Sequence, residues 1–463
     1  MANPLIRLQL LGQSPWHDNI SRRLLTSGAL KKMVADGDIT GLTSNPTIFE
    51  QAIASSTDYD EDLERLAREG KSAEQIFDAL AVADIRDAAD VLAPVFERTH
   101  GADGFVSIEV APKLANDTPA TIREARRLWS AVNRPNLMVK IPATAAGVPA
   151  VEQSIADGLN INVTLIFSLK RYEEVMDAYL GGLIRRLESG QKVDGIASVA
   201  SFFVSRVDTL VDKLIDERLA AGAERRDLLQ SLKGKAAIAN AKLAYVAFRK
   251  KFSTEAFAVL KNHGARVQRP LWASTSTKNP AYPEVYYVEA LIGPDTVDTM
   301  PPATLAGYKD HGNPEVRIDG RVDEARRVMD QLDEAGIRME DVTRKLEEDG
   351  VAAFAKSFDS LIAVVEKRRR QTLGAPAPGA PPAAAARPAK KAAKRGRKAP
   401  RRAGRKRAKK KRAAAAKKPR RAATRRARAA RRVRRGARTA AGKAAARKSK
   451  SAKKAAKRKT RRR

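Results

Sequence analysis

Apolar residues along the chain fall into short, nearly continuous runs, separated by longer stretches in which they recur every third or fourth position. The runs are the segment ending SPWHDN, then ITGLTSN, FVSIEVA, LMVKIPA, INVTLIFS, IASVASFFV and VQRPLWAST, and each predicts a strand. The intervening periodicity predicts helices over 21–35, 73–97, 121–132, 169–187, 207–220 and 228–250. Strands that are apolar on both faces and alternate with amphipathic helices indicate a parallel sheet covered by helices. No GxGxxG follows the first strand and no GxxxxGK[ST] occurs in the first 370 residues, so neither nucleotide-binding signature of an open sheet is present there.

Polar side chains within or at the end of six consecutive runs decide between an open sheet and a closed barrel. They are Asp18, Asn45, Glu109, Lys140, Thr164 and Ser201, with gaps of 27, 64, 31, 24 and 37 residues. Most gaps are near the ~30 residues of one βα unit. In an open sheet only the strands at a switch point meet a ligand, whereas a (β/α)8 barrel gathers side chains from many strands at its C-terminal face. A (β/α)8 TIM barrel is therefore expected.

Lys140 lies inside LMVKIPAT, where alternation puts Met138, Lys140 and Pro142 on one face. On an isolated strand such a lysine is more often at a sheet edge or reaches out to solvent. In a barrel interior, desolvation disfavours the ammonium and leaves an amine able to attack a carbonyl. A Schiff-base site also needs acid and base groups to dehydrate its carbinolamine, and Glu109 and Thr164 on the flanking strands supply candidates. Asp18 has a competing reading as the cap of the helix starting near Ser21, Thr164 as an ordinary strand residue and Ser201 as a small packing residue.

Charge then separates the chain into parts. The 463 residues carry a formal net charge of +36, but 40 of the 89 lysines and arginines lie in the last 93 residues, which contain no acidic side chain. The first 370 residues hold 49 basic and 53 acidic groups and are mildly acidic. A basic nucleic-acid-binding fold is thus excluded for the part able to bury a core. The expected organisation is a barrel over 1–370, a Pro/Ala-rich linker over 371–390, and a Lys/Arg/Ala-rich tail over 391–463. Without aromatic residues and almost without large aliphatic ones, the tail is expected to be disordered. The chain has no cysteine, which excludes disulfides and thiolate chemistry, and its four histidines share no metal-ligand spacing. MANPLIRLQLLGQSPWHD lacks the features of a signal peptide and no apolar run approaches the ~20 residues of a membrane span, so a cytoplasmic protein is expected.

The strings DNISRRLL, GLTSNPTIF, VSIEVAP, VKIPATAAG, NVTLIFS, SFFVSRVD and TVDTMPPATLAGYKDHG, in this order and spanning about residues 18–311, resemble the transaldolases. The resemblance implies a (β/α)8 enzyme of the pentose phosphate pathway that needs no metal or organic cofactor. It would transfer a dihydroxyacetone unit from sedoheptulose 7-phosphate to glyceraldehyde 3-phosphate, giving erythrose 4-phosphate and fructose 6-phosphate. The family's Schiff-base lysine falls on Lys140, its acid/base aspartate on Asp18, its water-handling glutamate on Glu109 and its water-positioning threonine on Thr164. Asn45 and Ser201 match residues that contact the bound substrate, and Arg206 matches the phosphate-binding arginine, against a bland reading as a solvated arginine facing Asp208. The family's second phosphate element pairs a serine with an arginine. Here Ser274 fits the serine, no arginine follows, and Lys278 is the candidate replacement. Similar enzymes that act as fructose 6-phosphate aldolases carry Gln and Tyr where this chain has Glu109 and Phe203, so the resemblance implies transfer, with aldolase activity as the alternative.

The tail resembles those of linker histones and some nucleoid proteins. Its charge implies binding to DNA, RNA or another polyanion and, through DNA, association with the nucleoid. A competing reading from another class is a nucleic-acid-binding architectural protein on an inactive barrel. Retention of Asp18, Asn45, Glu109, Lys140 and Thr164 together favours the enzyme.

Overall fold

Eight parallel strands close on themselves in sequence order: β1 Gln13–Asp18, β2 Gly41–Thr43, β3 Val106–Glu109, β4 Leu137–Pro142, β5 Ile161–Ile166, β6 Ser198–Phe203, β7 Arg269–Ala273 and β8 Thr296–Met300, with β8 pairing back onto β1. The structure is a computed structural model describing residues 3–374. The tail and the predicted linker beyond Gly374 lie outside the described residues. The expected (β/α)8 barrel is the observed fold.

Helix α1, Pro4–Leu10, precedes the barrel. α2 Arg22–Thr26 and α3 Ala29–Ala35 follow β1, and α4 Pro46–Ser55, α5 Asp60–Arg68 and α6 Ala73–Arg98 follow β2. These last three helices account for the long gap between Asn45 and Glu109. α7 Thr118–Val132, α8 Gly147–Ala156 and α9 Leu169–Glu188 cover β3, β4 and β5 in turn. After β6 come α10 Ser205–Ala220, α11 Arg226–Leu232, α12 Ala236–Lys251 and α13 Glu255–Asn262. α14 Tyr286–Ala290 follows β7, and α15 Pro302–His311, α16 Val322–Glu334 and α17 Met339–Thr372 follow β8.

Local chemistry sets many of these boundaries. Ser21, Asn45, Ser72, Asp117, Ser168 and Thr254 each accept a backbone N–H at a helix start, satisfying donors that the helix cannot. Two predicted helices are each broken in two. The 21–35 stretch turns at Gly28 (φ +75°) and the 228–250 stretch near Gly234 (φ +71°), left-handed conformations that glycine adopts without steric penalty. The eighth strand escaped the hydrophobic pattern because TVDTM holds three polar residues in five, yet every one of its residues is buried.

At the N-terminal end of the barrel, Trp16 Nε1 donates to Asp103 Oδ1 at 2.8 Å and Arg269 Nη1 to Ser14 Oγ at 2.7 Å. Trp16 lies so close to its register partner Gly41 that a Cβ there would fall 2.4 Å from the indole. The opposite end is partly covered by α17. Thr47 Oγ1, at the start of α4, donates to Ser357 Oγ at 2.9 Å, Arg368 Nη1 bonds Asp60 Oδ1 at 2.8 Å, and Gly350 packs on Leu165 of β5. Among the described residues no helix is long and apolar enough to cross a membrane.

Candidate active site

Lys140 sits in the middle of β4, level with Glu109 on β3 and Asn162 on β5, and is only 5 % exposed. Its Nζ donates to the Ser44 carbonyl oxygen at 3.2 Å and lies 3.6 Å from Glu109 Oε2, within ion-pair range but too far for a hydrogen bond. Strands β3 and β4 and the residue that follows β2 thus bring an amine, a carboxyl and a backbone carbonyl oxygen together inside the barrel.

Burial pushes the Glu109 carboxyl up to about 7, against the opposing pull of Lys140, and its Oε2 is a buried acceptor without a hydrogen-bond partner. Asp18, the last residue of β1, is also raised above the usual carboxylate range by burial, opposed first by the charge of Lys140 and then by the hydroxyl of Thr43. Two carboxyls that both feel the charge of Lys140 are therefore poised to hold or release a proton at higher pH than in water. The helix after β1 is capped by Ser21, so the capping role weighed for Asp18 is taken by another residue.

Thr164 lies in β5, two residues beyond Asn162, and its buried Oγ1 has no partner among the described residues. Immediately after it the register against β6 slips, so that Val163 faces Ala200 but Ile166 faces Phe202, and the extra residue, Leu165, adopts φ +60°. A bulge with a left-handed leucine costs about 1–3 kcal/mol, and such strain concentrates at functional sites. Ser201 on β6 donates to Asn162 Oδ1 at 2.7 Å, and Asn162 Nδ2 donates to Ser107 Oγ at 3.0 Å. Because β3 and β5 are separated by β4, this chain of bonds crosses the barrel interior. Asn45 follows β2 and caps α4, its Oδ1 accepting from Ile48 N at 3.0 Å. Its amide nitrogen is the part left for a ligand.

Arg206 lies in the first turn of α10 with no acidic partner and no hydrogen bond among the described residues. Its guanidinium carbon is 5.2 Å from the Phe203 ring centroid and 5.9 Å from that of Phe354. Asp208 does not face it: that carboxylate is buried, accepting from Ala237 N and Tyr287 Oη at 2.8 and 3.0 Å. Ser274 follows β7 at φ +58°, its hydroxyl 3.0 Å from that of Ser205. Lys278, exposed on the same loop, donates to Ser276 Oγ at 2.7 Å. Partial desolvation and the charge of Arg206 lower its affinity for a proton, while Asp18 raises it, so all three act on one space. Two cations and two serine hydroxyls thus flank the mouth on the β6–β7 side. Among the described residues no cluster of three or more His, Asp and Glu able to hold a metal ion is present.

Sequence reading missed several neighbours. Asn162 was legible, since alternation puts it on the same face as Thr164. Thr43 donates to Asp18 Oδ1 at 2.7 Å and in turn accepts from Thr299 Oγ1 at 2.6 Å. That second contact links β2 to β8 across β1, and Thr299 lies in the strand the hydrophobic pattern did not reveal. Phe354 comes from α17, almost 150 residues beyond Arg206, and no local signal tied the two.

Residues 15–365 match the family described as Transaldolase/Fructose-6-phosphate aldolase. Among individual proteins, the chain is 45 % identical over 372 residues to a transaldolase of Trichodesmium erythraeum, covering 80 % of this chain and 98 % of that one. It is 48 % identical over 363 residues to one of Thermobifida fusca (78 % and 97 %) and 48 % identical over 355 residues to one of Thiobacillus denitrificans (77 % and 97 %). The barrel, its buried lysine beside a carboxyl raised by burial and these matches lead to one conclusion: the chain belongs to the transaldolase/fructose-6-phosphate aldolase family.

Proposed function

We infer that the chain is a transaldolase, moving a dihydroxyacetone unit from sedoheptulose 7-phosphate to glyceraldehyde 3-phosphate in the cytoplasm. The observation that carries the mechanism is the buried Lys140 amine 3.6 Å from a Glu109 carboxyl that holds its proton up to about pH 7. In its neutral form Lys140 adds to the donor's carbonyl carbon. Glu109, aided by Thr164 and a water, gives a proton to the carbinolamine hydroxyl, which leaves as water and forms the iminium. Asp18 takes the proton from the C4 hydroxyl, the C3–C4 bond breaks, and its electrons move into the iminium to give an enamine and free erythrose 4-phosphate. Glyceraldehyde 3-phosphate then enters, the enamine carbon attacks its aldehyde, and Asp18 returns the proton. Hydrolysis releases fructose 6-phosphate and the amine.

Asn45 and Ser201 would orient the three-carbon unit, while Arg206, with Ser274 and Lys278, would hold the phosphate. A site that holds the enamine until an aldehyde arrives favours transfer over release, and Glu109 with Phe203 fits that reading. The test is to follow fructose 6-phosphate with and without erythrose 4-phosphate. Rapid turnover is expected only with the acceptor. Release of free dihydroxyacetone at a comparable rate without it would assign the aldolase activity instead.

For the tail we propose electrostatic binding to DNA, RNA or another polyanion, which would hold the enzyme at the nucleoid when the partner is DNA. Its support is composition: forty positive charges in the last 93 residues and none negative.

A further inference from the structure

Arg206, half-buried in the first turn of α10, is placed unusually for a cation at the head of a helix. Its guanidinium has no acceptor among the described residues, and it packs on two aromatic rings, its carbon 5.2 Å from the centroid of Phe203 of β6 and 5.9 Å from that of Phe354 of α17. Phe203 is itself backed by Phe167, ring centroids 5.1 Å apart. A guanidinium packed on two rings is held by contacts that leave its N–H donors without an oxygen acceptor. Those in-plane donors can grip a phosphate through two parallel bonds.

The α17 side of this arrangement has a second feature. Gly350 lies one turn before Phe354 on the same helix face. A Cβ at Gly350 would come 3.1 Å from Leu165 Cδ2 and 3.8 Å from Arg206 Nη1. A glycine in a helix interior is less stable than alanine by about 1 kcal/mol, and here it allows the α17 backbone to approach the β5 bulge. Two successive turns of α17 thus wall one side of the cation. Burial works against the charge of Arg206, with Asp18 supporting it, so a partner that stabilises the charged form without occupying its donors has a defined role.

We propose that Phe354 is a positioning residue for the substrate phosphate: packed with its ring centroid 5.9 Å from the Arg206 guanidinium carbon, it holds the guanidinium so that its free N–H donors meet the phosphate. Phe354 touches no reacting atom. Its effect lies in phosphate affinity and not in the chemistry at Lys140. Through Phe354, α17 takes part in selecting phosphorylated over plain ketoses. The proposal rests on Arg206 being the phosphate anchor.

The experiment compares fructose 6-phosphate and unphosphorylated fructose as donors, with erythrose 4-phosphate as acceptor, for Phe354→Leu, Phe354→Tyr and Arg206→Ala in the full chain. Leucine keeps the packing without the ring. Phe354→Leu should raise KM for fructose 6-phosphate about 3- to 10-fold, from the strength of a partly buried cation–π contact, leave kcat within about two-fold, and leave kcat/KM for fructose unchanged. Phe354→Tyr, which keeps the ring, should restore the original KM. If Leu and Tyr behave alike, or if both donors suffer equally, the proposal is wrong. Arg206→Ala separates the two levels. If it removes the preference for the phosphorylated donor while Phe354→Leu does not, only the role of Phe354 falls. If it leaves that preference intact, Arg206 is not the anchor and the phosphate assignment falls with it.

Discussion

Lys140 Nζ and Glu109 Oε2 stand 3.6 Å apart at the same level of adjacent strands, both buried, and the carboxyl oxygen has no hydrogen-bond partner among the described residues. A full salt bridge in so dry a place would fix both charges. A proton held on Glu109 up to about pH 7 instead leaves the pair able to exchange protons with a carbinolamine.

This gives Glu109 a pH signature. As pH rises through about 7 it loses its proton, so dehydration of the carbinolamine should slow across that range. Glu109→Ala should reduce turnover by about 10²-fold, and Glu109→Gln should lose the inflection near pH 7. The rate of adduct formation measured on both sides of that value checks both variants. An inflection retained in Glu109→Gln would mean that another group titrates.

Asn45 caps α4, and the substrate contact proposed for it is a second role that substitutions can separate from the first. Asn45→Ala should remove the α4 cap, lowering stability by about 1 kcal/mol, as well as the amide donor that the proposed mechanism assigns to substrate binding. Asn45→Asp keeps an acceptor for Ile48 N and should retain the stability while losing most of the activity. Denaturant titration beside steady-state kinetics shows the difference. If Asn45→Asp is fully active, the residue is a cap and nothing more.

Some of this was legible in the sequence and some was not, for physical reasons. A lysine inside LMVKIPA stands out because charge in a dry strand needs a cause. Asp18, Glu109 and Asn162 fall at positions that strand alternation carries to one side. The β8 strand hid because its burial is shared with polar side chains bonded inside the barrel, Thr299 to Thr43 beyond β1 and Asp298 to Thr275 after the neighbouring β7. Helix breaks at Gly28 and Gly234 depended on single left-handed residues inside otherwise periodic stretches. Phe354 meets Arg206 only because α17 doubles back over the barrel, a contact of long sequence separation to which periodicity is blind.

Asp298 gives a stability prediction. It is fully buried on β8, accepts from Thr275 Oγ1 at 2.8 Å, has an unpartnered Oδ2, and is pushed up to about 7 by burial. A carboxyl raised in the folded state stabilises the fold fully below its unfolded value near 4, and that contribution is lost as pH rises through about 7. Across that window, stability falls by about 1.4 kcal/mol for each pH unit. Asp298→Asn, which keeps the acceptor for Thr275, should therefore match the parent at about pH 4 and exceed it in stability above about pH 7. Melting curves on the acid and alkaline sides of this window test the sign. A constant difference between the two would show that Asp298 is ionised in the fold.

The tail prediction concerns the polyanion alone. Ending the chain after Gly374 leaves α17 whole and should keep transferase activity within about two-fold while abolishing retention on DNA. If about ten side chains of the full-length tail meet phosphates, log affinity should fall with log salt at a slope of roughly −9. Equal retention of both forms would place the binding in the barrel.

The central claim is that one buried lysine holds the substrate as an imine. Incubation with fructose 6-phosphate and borohydride, followed by peptide mapping, tests it directly. The predicted result is a single reduced dihydroxyacetone adduct, on the peptide containing Lys140, with loss of activity in proportion to labelling. No adduct, or an adduct on a different lysine, would contradict it.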